Sequence, residues 1–240
     1  NVLIGELAGD AITTGGSNTG IGKGALGTTV GGSRMVAVGQ GALGNANITS
    51  NHSVAVGMDA GLLLTSGDVV AVGYNALAAL TSGLGNVAIG SGSLKTNTTG
   101  DYNTAVGSRA LYTANQDGHN ANTAVGYEAA HSITTSTDNT AIGMQTLFSE
   151  DAASRSTAIG TQALYKQNAG SGNANNTAVG VFAGYHNVTG TNNTYIGQSA
   201  GLGNSGDSNS NNTAVGAGAL QVITDGGENV AIGNGTGDAL

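Results

Sequence analysis

The chain has 240 residues, of which 43 are glycine and none is proline, cysteine or tryptophan, and its net charge is −8 at pH 7. Without cysteine there is no disulfide framework and no thiolate metal site. The six basic residues are scattered singly, so nucleic acid is not an expected partner. No apolar run reaches the roughly 18 residues of a membrane span, so we expect no membrane insertion.

The whole chain is built from copies of one short motif, Asn-Thr/Val-Ala-Val/Ile-Gly. Fourteen copies occur, and consecutive motif glycines are 16 to 20 residues apart. Such a period is the sequence signature of a repeat architecture. In chain order, a strand is predicted immediately before each of the motif glycines Gly5, Gly22, Gly39, Gly57, Gly73, Gly90, Gly107, Gly126, Gly143, Gly160, Gly180, Gly197, Gly216 and Gly233.

Positions are numbered here from the motif glycine as zero, and each copy is called a rung. Val or Ile stands at −1 and Val or Thr at −3 in all fourteen copies, while −2 is Ala in eleven. Position +3 is Ala in eleven copies and +4 is Leu in eight, whereas +1 and +2 vary freely. The alternation of β-branched and small residues before the glycine has the two-residue period of a β-strand.

Each rung therefore predicts a strand of about five residues, a corner at +1 and +2, a shorter strand from +3, and a polar loop. No segment carries the apolar 3.6-residue stripe of a helix. Parallel stacking of these units predicts an all-β fold, a parallel β-solenoid of about 14 rungs that forms a single repeat domain over residues 1–240. Because the first residues, NVLIG, already lie inside the motif, we expect a fragment of a longer fibre protein.

Both faces of the predicted strand are restricted, which bears on assembly. One face must line the lumen of the solenoid, and strands that are restricted on both faces are typical of sheets covered on both sides. No helix or additional strand is predicted to supply the second cover, so we expect another copy of the chain to supply it. We favour the β-branched face in the lumen together with the Leu at +4, and the Ala/Gly face in close subunit contact. The reverse assignment stays open.

Asn stands at −4 in ten copies. Stacked Asn side chains can hydrogen-bond from rung to rung, and Asn also tolerates the left-handed turn conformation. Both interpretations stay open, and neither makes a ligand site.

The stretches NTAVGSRALY (Asn103 to Tyr112), HSVAVGMDAG (His52 to Gly61) and NVAIGSGSL (Asn86 to Leu94) carry a family resemblance. They resemble the head repeats of trimeric autotransporter adhesins, N-S-V-A-I-G-x-x-S/A, and are at least as similar to the N-T-A-V-G-x-x-A-L arrays of phage tail-fibre proteins. The resemblance covers all fourteen rungs. It implies a left-handed β-roll that assembles as a homotrimer outside the cell, on a virion or on a bacterial surface. The variable loops and the Leu at +4 favour the tail-fibre array.

Two short patterns suggest chemistry that the repeat explains differently. Gly197 to Gly201 matches the G-x-S-x-G elbow around a nucleophilic serine, but Ser199 stands at the freely varying +2 position and no helix is predicted after it. GKGALG (Gly22 to Gly27) and GQGALG (Gly39 to Gly44) match G-x-G-x-x-G, yet no strand–helix unit surrounds them. We predict that the chain is not an enzyme and has no cofactor.

Metal binding is not predicted either. The four histidines, at 52, 119, 131 and 186, fall at different places in their rungs. The acidic loops NQDGHN (Asn115 to Asn120) and GDSNSNN (Gly206 to Asn212) hold oxygen ligands without the ordered spacing of a calcium loop.

One column stands out as a candidate binding site. Position +5 is aromatic or histidine in five successive rungs, which predicts a stacked ladder. The ladder is interpreted either as a structural stack between rungs or as a platform for sugar rings of a surface glycan. Its members are Tyr112, His131, Phe148, Tyr165 and Tyr185, and the secondary candidates at +1 and +2 are Tyr74, Tyr127 and Phe182.

These features predict a non-enzymatic, extracellular fibre segment that presents or extends an attachment surface. Its expected partners are further copies of itself and a glycan or protein receptor on a host surface. A purely structural spacer is the first alternative. An ice-binding solenoid is less favoured: Thr fills −3 in seven consecutive rungs, but Val fills it in six others, which suits a buried column better. A polysaccharide-cleaving fibre would need two carboxylates across a groove, and the acidic residues are scattered among the loops.

Overall fold

The computed structural model describes residues 1–45, 48, 52–66, 68–115, 117–206, 208–224 and 226–237. The chain divides into two compact units, Asn1–Ala121 and Asn122–Leu240. Every strand of the described residues is short, and no helix occurs among these residues. The fold is therefore all-β.

Unit 1 is a parallel β-solenoid of seven rungs. Its seven main strands pair in chain order, each parallel to the next, and each covers positions −3 to −1 of its motif. The main strands are β1 (Val2–Ile4), β2 (Thr19–Ile21), β3 (Val36–Val38), β4 (Val54–Val56), β5 (Val70–Val72), β6 (Val87–Ile89) and β8 (Thr104–Val106). In the loops, β7 (Gly100–Asp101) pairs in parallel with β9 (Gly118–His119).

Unit 2 repeats this arrangement with seven more rungs. Its main strands also pair in chain order, all parallel. They are β10 (Thr123–Val125), β11 (Thr140–Ile142), β13 (Thr157–Ile159), β15 (Thr177–Val179), β16 (Thr194–Ile196), β17 (Thr213–Val215) and β18 (Val230–Ile232). The loop strands β12 (Ala153–Ser154) and β14 (Gly172–Asn173) pair in parallel.

The register of the main sheet places equivalent motif positions directly beside each other. Thr140 pairs with Thr157, and Ile142 pairs with Ile159. Each motif position therefore forms a column along its unit. The predicted parallel β-solenoid is confirmed within each unit.

The motif glycine is required by both backbone conformation and space. Gly143 has φ of 135°, and a Cβ on it would lie 2.7 Å from the backbone of Gly160 in the next rung. A side chain at this position would adopt a strained φ and would overlap the neighbouring turn. This explains why the glycine has no exception in fourteen rungs.

The shorter strand predicted from +3 is wrong, because that segment is a turn. Positions +2 and +4 are left-handed: in one rung Asn75 has φ of 55° and Leu77 has φ of 52°. Two left-handed residues separated by one position cannot form a β-strand. The turn still bonds from rung to rung, since the N–H of Leu77 donates to the carbonyl oxygen of Ser93 at 3.1 Å.

The lumen is lined by the small face of the strand, which overturns the favoured assignment of the two faces. Ala141 at −2 and Leu147 at +4 are fully buried, whereas Ile142 at −1 is 38% exposed. The turn after the motif glycine folds the +3 and +4 residues directly against the strand. Opposite a Leu there is then room only for a methyl group at −2, and a β-branched side chain would overfill the lumen. The predicted position of the +4 Leu in the lumen is confirmed.

The Asn column at −4 forms a buried ladder between rungs. In unit 2, Oδ1 of Asn122 accepts the N–H of Asn139 at 3.0 Å, and Oδ1 of Asn139 accepts the N–H of Ser156 at 2.9 Å. Nδ2 of Asn122 donates to the carbonyl oxygen of Ser136 at 2.8 Å. The left-handed residue is the one before, at −5, where Asp138 has φ of 60°. The ladder interpretation is thus confirmed, and the turn conformation belongs to the neighbouring column.

Candidate functional site

An unusual surface is the outward side of the main sheet, formed by the −3 and −1 side chains and called here the β-branched face. It contains only Val, Ile and Thr, with no charged residue at either position in any rung. Its side chains are half-buried or exposed, with Ile142 38% and Ile196 40% exposed. A regular apolar surface of this kind marks an interaction site more often than free surface.

The two units differ in the −3 column of this face. Unit 1 carries mainly Val there, whereas six successive main strands of unit 2 carry Thr from Thr123 to Thr213. The threonines lie in register and are half-buried, facing away from the lumen. The Thr column therefore lies on the outer surface of unit 2. The alternation of Thr with Val predicts a buried column, but the structure does not place this column in the lumen.

Four of the five predicted ladder residues form a continuous stack in unit 2. Ring centroids of His131 and Phe148 are 5.1 Å apart, those of Phe148 and Tyr165 are 5.2 Å apart, and those of Tyr165 and Tyr185 are 5.0 Å apart. The interplanar angles are 19°, 9° and 5°. All four side chains are half-buried. The faces of Phe148 and Tyr165 are covered by their neighbours, so their ring edges are the parts available to a ligand.

The end of the stack at Tyr185 is closed by further contacts. Phe182, 36% exposed, meets the Tyr185 ring edge-on with centroids 5.7 Å apart, and His186 does so at 4.7 Å. Burial raises the pKa of the Tyr185 hydroxyl above its ordinary value, with a smaller contribution from Tyr165. This phenol stays neutral and able to donate a hydrogen bond at physiological pH.

The fifth predicted ladder residue, Tyr112, lies in unit 1 beside a lysine. Nζ of Lys95 is 3.4 Å from the Tyr112 hydroxyl oxygen and 5.6 Å from the ring centroid. Tyr112 also lines a small pocket of about 120 Å³ with Tyr74, whose side chain is 50% exposed. The structure thus brings one primary and one secondary candidate together at this place.

The remaining candidate and one unpredicted contact lie elsewhere. Tyr127, in unit 2, is 47% exposed at +1. Tyr102 and His119 of unit 1 stack with centroids 4.9 Å apart and an interplanar angle of 16°. No sequence pattern predicts this pair, because Tyr102 stands at −5 and His119 stands in a loop insertion of different length.

Ser199 is a turn residue. It has φ of 55°, and its N–H donates to the carbonyl oxygen of Val181 at 2.9 Å. The shallow pocket beside it, of about 260 Å³, is lined by Gln198, Gln221 and Asn234 with small residues, and neither histidine nor a carboxylate lines it. This arrangement offers no base for a nucleophilic serine.

The described residues contain no group of three or more His, Asp or Glu that could hold a metal ion. Of the acidic loops, Gln116 and Asp207 lie outside the described residues, and the Asp117 carboxylate accepts a hydrogen bond from the Thr99 hydroxyl. Likewise, no helix of the described part of the chain has the length and apolar character to cross a membrane.

Glu150 is a fully buried carboxylate in unit 2. Its Oε1 accepts the N–H of Ala153 at 2.7 Å, and its Oε2 accepts a hydrogen bond from Gln167 Nε2 at 2.9 Å. Burial raises the pKa of the Glu150 carboxyl above its ordinary value, and these hydrogen bonds oppose the rise. The carboxylate therefore holds the loop that follows it and the Gln167 side chain together.

Comparison with family models, characterised proteins and solved structures gives no match to this chain. The class of the protein, an all-β repeat protein built as a parallel β-solenoid, therefore follows from its own repeat and register.

Proposed function

We propose that the chain is a non-enzymatic segment of an extracellular attachment fibre and that it assembles as a homotrimer. The observation that carries this proposal is the β-branched face, which stays uncharged and half-exposed in every rung. Sheets that are covered on both sides lose their polar alternation, and this sheet has lost it on the side opposite the lumen. The cover that fits is the same face of further copies of the chain.

The geometry of the face favours self-association. Within each column, equivalent side chains repeat at roughly 4.8 Å along each unit. Copies that align their axes therefore bring their Val, Ile and Thr columns together over every rung. A closed, symmetric assembly then buries the same surface of each copy. The resemblance to adhesin heads and tail-fibre arrays supports three copies, a left-handed coil, and a place on a virion or bacterial surface.

Assembly through the β-branched face leaves the turns and loops outside. The aromatic ladder and the exposed rings of Tyr74, Tyr127 and Phe182 lie on turns. Attachment to a host glycan or protein receptor would therefore use these sides, and a segment with no receptor of its own would act as a spacer between other parts of the fibre.

Sedimentation equilibrium of the purified chain tests the assembly. We expect three times the chain mass of 23.2 kDa, or about 70 kDa. A stable, soluble species of 23.2 kDa at micromolar concentration would contradict the proposal. Binding of the assembled chain to host cells then separates an attachment surface from a spacer.

Ice binding is the second candidate, and the outward Thr column of unit 2 favours it. Six threonines in register beside a Val/Ile column form a regular array on one parallel sheet. Thermal hysteresis of the purified chain would detect this activity. The two candidates use the same face, so a trimer that buries the column should show no hysteresis.

A further inference from the structure

A hollow on the outer side of the turns in unit 1 has the size of a ligand site. Its volume is about 450 Å³, within the range of roughly 300 to 1,000 Å³ that small-molecule sites occupy. The other pockets described above and the one beside Arg34 are smaller, at about 120, 260 and 280 Å³. The floor of the hollow is formed by Gly24, Gly27, Gly41 and Gly44, and it is called here the glycine hollow.

The glycines at +2 in this floor are not demanded by the backbone. Gly24 and Gly41 have φ of 66°, but Leu7 and Asp59 adopt φ of 58° and 56° at the same position of neighbouring rungs. A Cβ on Gly24 would meet no atom within 4 Å. The absence of side chains in two consecutive rungs therefore opens space that the fold would allow to be filled.

Side chains border this floor at both ends. Leu7 and Asp10 stand at one end of the hollow, and Asp59 and Leu62 stand at the other. A Cβ on Gly41 would lie 2.4 Å from Oδ1 of Asp59, so the Asp59 carboxylate reaches over the floor. The two ends are three rungs apart, roughly 14 Å, which suits a disaccharide-sized ligand.

The long sides of the hollow are polar. Lys23 and Gln40 lie on the +1 side, and Thr28 and Asn45 lie on the +6 side. Nζ of Lys23, the one basic group of the lining, is 3.0 Å from Oε2 of Glu6. The two aspartates then leave the lining with a net negative charge, which disfavours an acidic ligand.

We propose that the glycine hollow binds a neutral saccharide, an inference that rests on the proposed role of the chain in attachment. Carboxylate and amide oxygens at the ends and sides accept hydrogen bonds from sugar hydroxyls, and the amide N–H groups donate to them. The glycine floor and the two leucines offer apolar surface to the C–H face of a sugar ring. This combination of apolar floor and few convergent polar groups is typical of a small-ligand site.

A glycan array that carries neutral, sialylated and uronate-containing glycans tests the class of ligand. We expect the chain to bind neutral members and to leave the acidic ones unbound. The preferred neutral glycan is then titrated against Gly24→Asn, which fills the floor with a residue that tolerates a left-handed φ, and against Asp59→Asn, which removes a carboxylate without changing its shape. The matched control is Gly218→Asn, at the same turn position of unit 2 with φ of 65°.

We expect each hollow variant to weaken binding about tenfold or more, and the control to stay within about twofold of the parent, with thermal melts confirming that all are folded. The inference is overturned if no neutral glycan binds, if acidic glycans are preferred, or if both hollow variants bind like the parent. A Gly24→Asn variant that fails to fold leaves Asp59→Asn to decide. Each of these binding results is independent of the mass found by sedimentation. Failure of the saccharide site can therefore be distinguished from failure of the proposed fibre assembly.

Discussion

The ring of Tyr195 occupies the space that a side chain on Gly201 would need, since a Cβ on Gly201 would lie 2.3 Å from Cε1 of Tyr195. The two residues stand at −2 and +4 of one rung, where most rungs carry Ala and Leu. Tyr195 is fully buried, and its hydroxyl donates to Oδ1 of Asn209. One large side chain thus replaces the usual pair across the lumen.

This exchange predicts a compensating double substitution. Tyr195→Ala alone should cost unit 2 about 3 to 5 kcal/mol through the cavity that it leaves, and Gly201→Leu alone should cost about 1 to 3 kcal/mol through overlap with the ring. The double variant recreates an ordinary Ala and Leu pair, and Leu77 shows that Leu adopts the required φ at +4. Denaturant midpoints should place the double variant above both single variants. Additive losses would contradict the exchange.

The motif glycine should tolerate no side chain. Gly143→Ala forces a residue with a Cβ into φ of 135° and into the backbone of Gly160, so we expect a loss of at least about 3 kcal/mol from strain and overlap together. Gly218→Ala, at a turn position with φ of 65°, should cost only about 1 to 2 kcal/mol. Thermal melts of the two variants should therefore differ clearly. Similar melting temperatures would show that the rungs are not in close contact at the glycine.

Substitutions at adjacent residues of one strand should have different effects, one on the stability of the chain and the other on its assembly. Ala141 faces the lumen, so Ala141→Leu should overpack it and cost about 1 to 3 kcal/mol per chain, whatever the state of assembly. Ile142 faces outward, so Ile142→Lys should leave the fold of the chain intact while lowering the mass found by sedimentation equilibrium. Ser108→Lys, at a half-buried +1 turn position, provides a charge-matched control away from this face. An assembled Ile142→Lys variant with the mass of the parent would show that the β-branched face is not the interface.

The strands and their parallel register could be predicted because every rung repeats them. The orientation of the strand could not, since both of its faces are restricted and the alternation is the same in either direction. The orientation of the strand is decided by the width of the lumen, which depends on how the turn folds back onto the strand. That turn contains two left-handed residues, at positions such as Asn75 and Leu77, whose sequence does not require this conformation.

The candidate site, like the fold, could be predicted from the sequence only in part. The aromatic ladder was visible from the +5 column, but its interplanar angles of 5° to 19°, which cover the ring faces, follow from the structure alone. The floor of the glycine hollow comes from the stretches GKGALG and GQGALG, which by themselves do not predict a pocket. Its walls come from rungs on either side, and only the three-dimensional register brings Leu7 and Leu62 to opposite ends of one surface.

The buried carboxylate of Glu150 predicts a dependence of stability on pH. Burial raises its pKa in the folded state, so the folded chain holds this proton more tightly than the unfolded chain. The stability that this tighter proton binding gives to the folded chain is fully present below the pKa of the unfolded state, about 4.3. It is lost as pH rises through the pKa of the folded state. Glu150→Gln should therefore gain stability relative to the parent between pH 4 and pH 7, on the order of 1 kcal/mol per pKa unit.

Denaturant midpoints at the two pH values measure this gain. Glu228→Gln, which changes an exposed glutamate of the same unit, is the control and should follow the parent at both pH values. If the difference between Glu150→Gln and the parent is the same at pH 4 and pH 7, the hydrogen bonds from Ala153 and Gln167 balance the effect of burial on the pKa, and the prediction is wrong.

The last prediction separates binding from scaffolding in the aromatic ladder. Tyr165 stacks on Phe148 at 5.2 Å and on Tyr185 at 5.0 Å, so both of its faces are in use. Tyr165→Ala should remove two ring contacts and lower the stability of unit 2 by about 1 to 3 kcal/mol, whereas Tyr165→Phe should keep the stack. Cell and glycan binding, measured at a temperature where the variant is folded, should persist, because the stacked faces are not free to hold a sugar. Weakened binding with an unchanged melting temperature would instead show that the ladder holds the ligand through its exposed edges. Tyr74→Ala, which removes an exposed ring of unit 1 outside the stack, distinguishes the loss of this ladder from the general loss of a surface tyrosine.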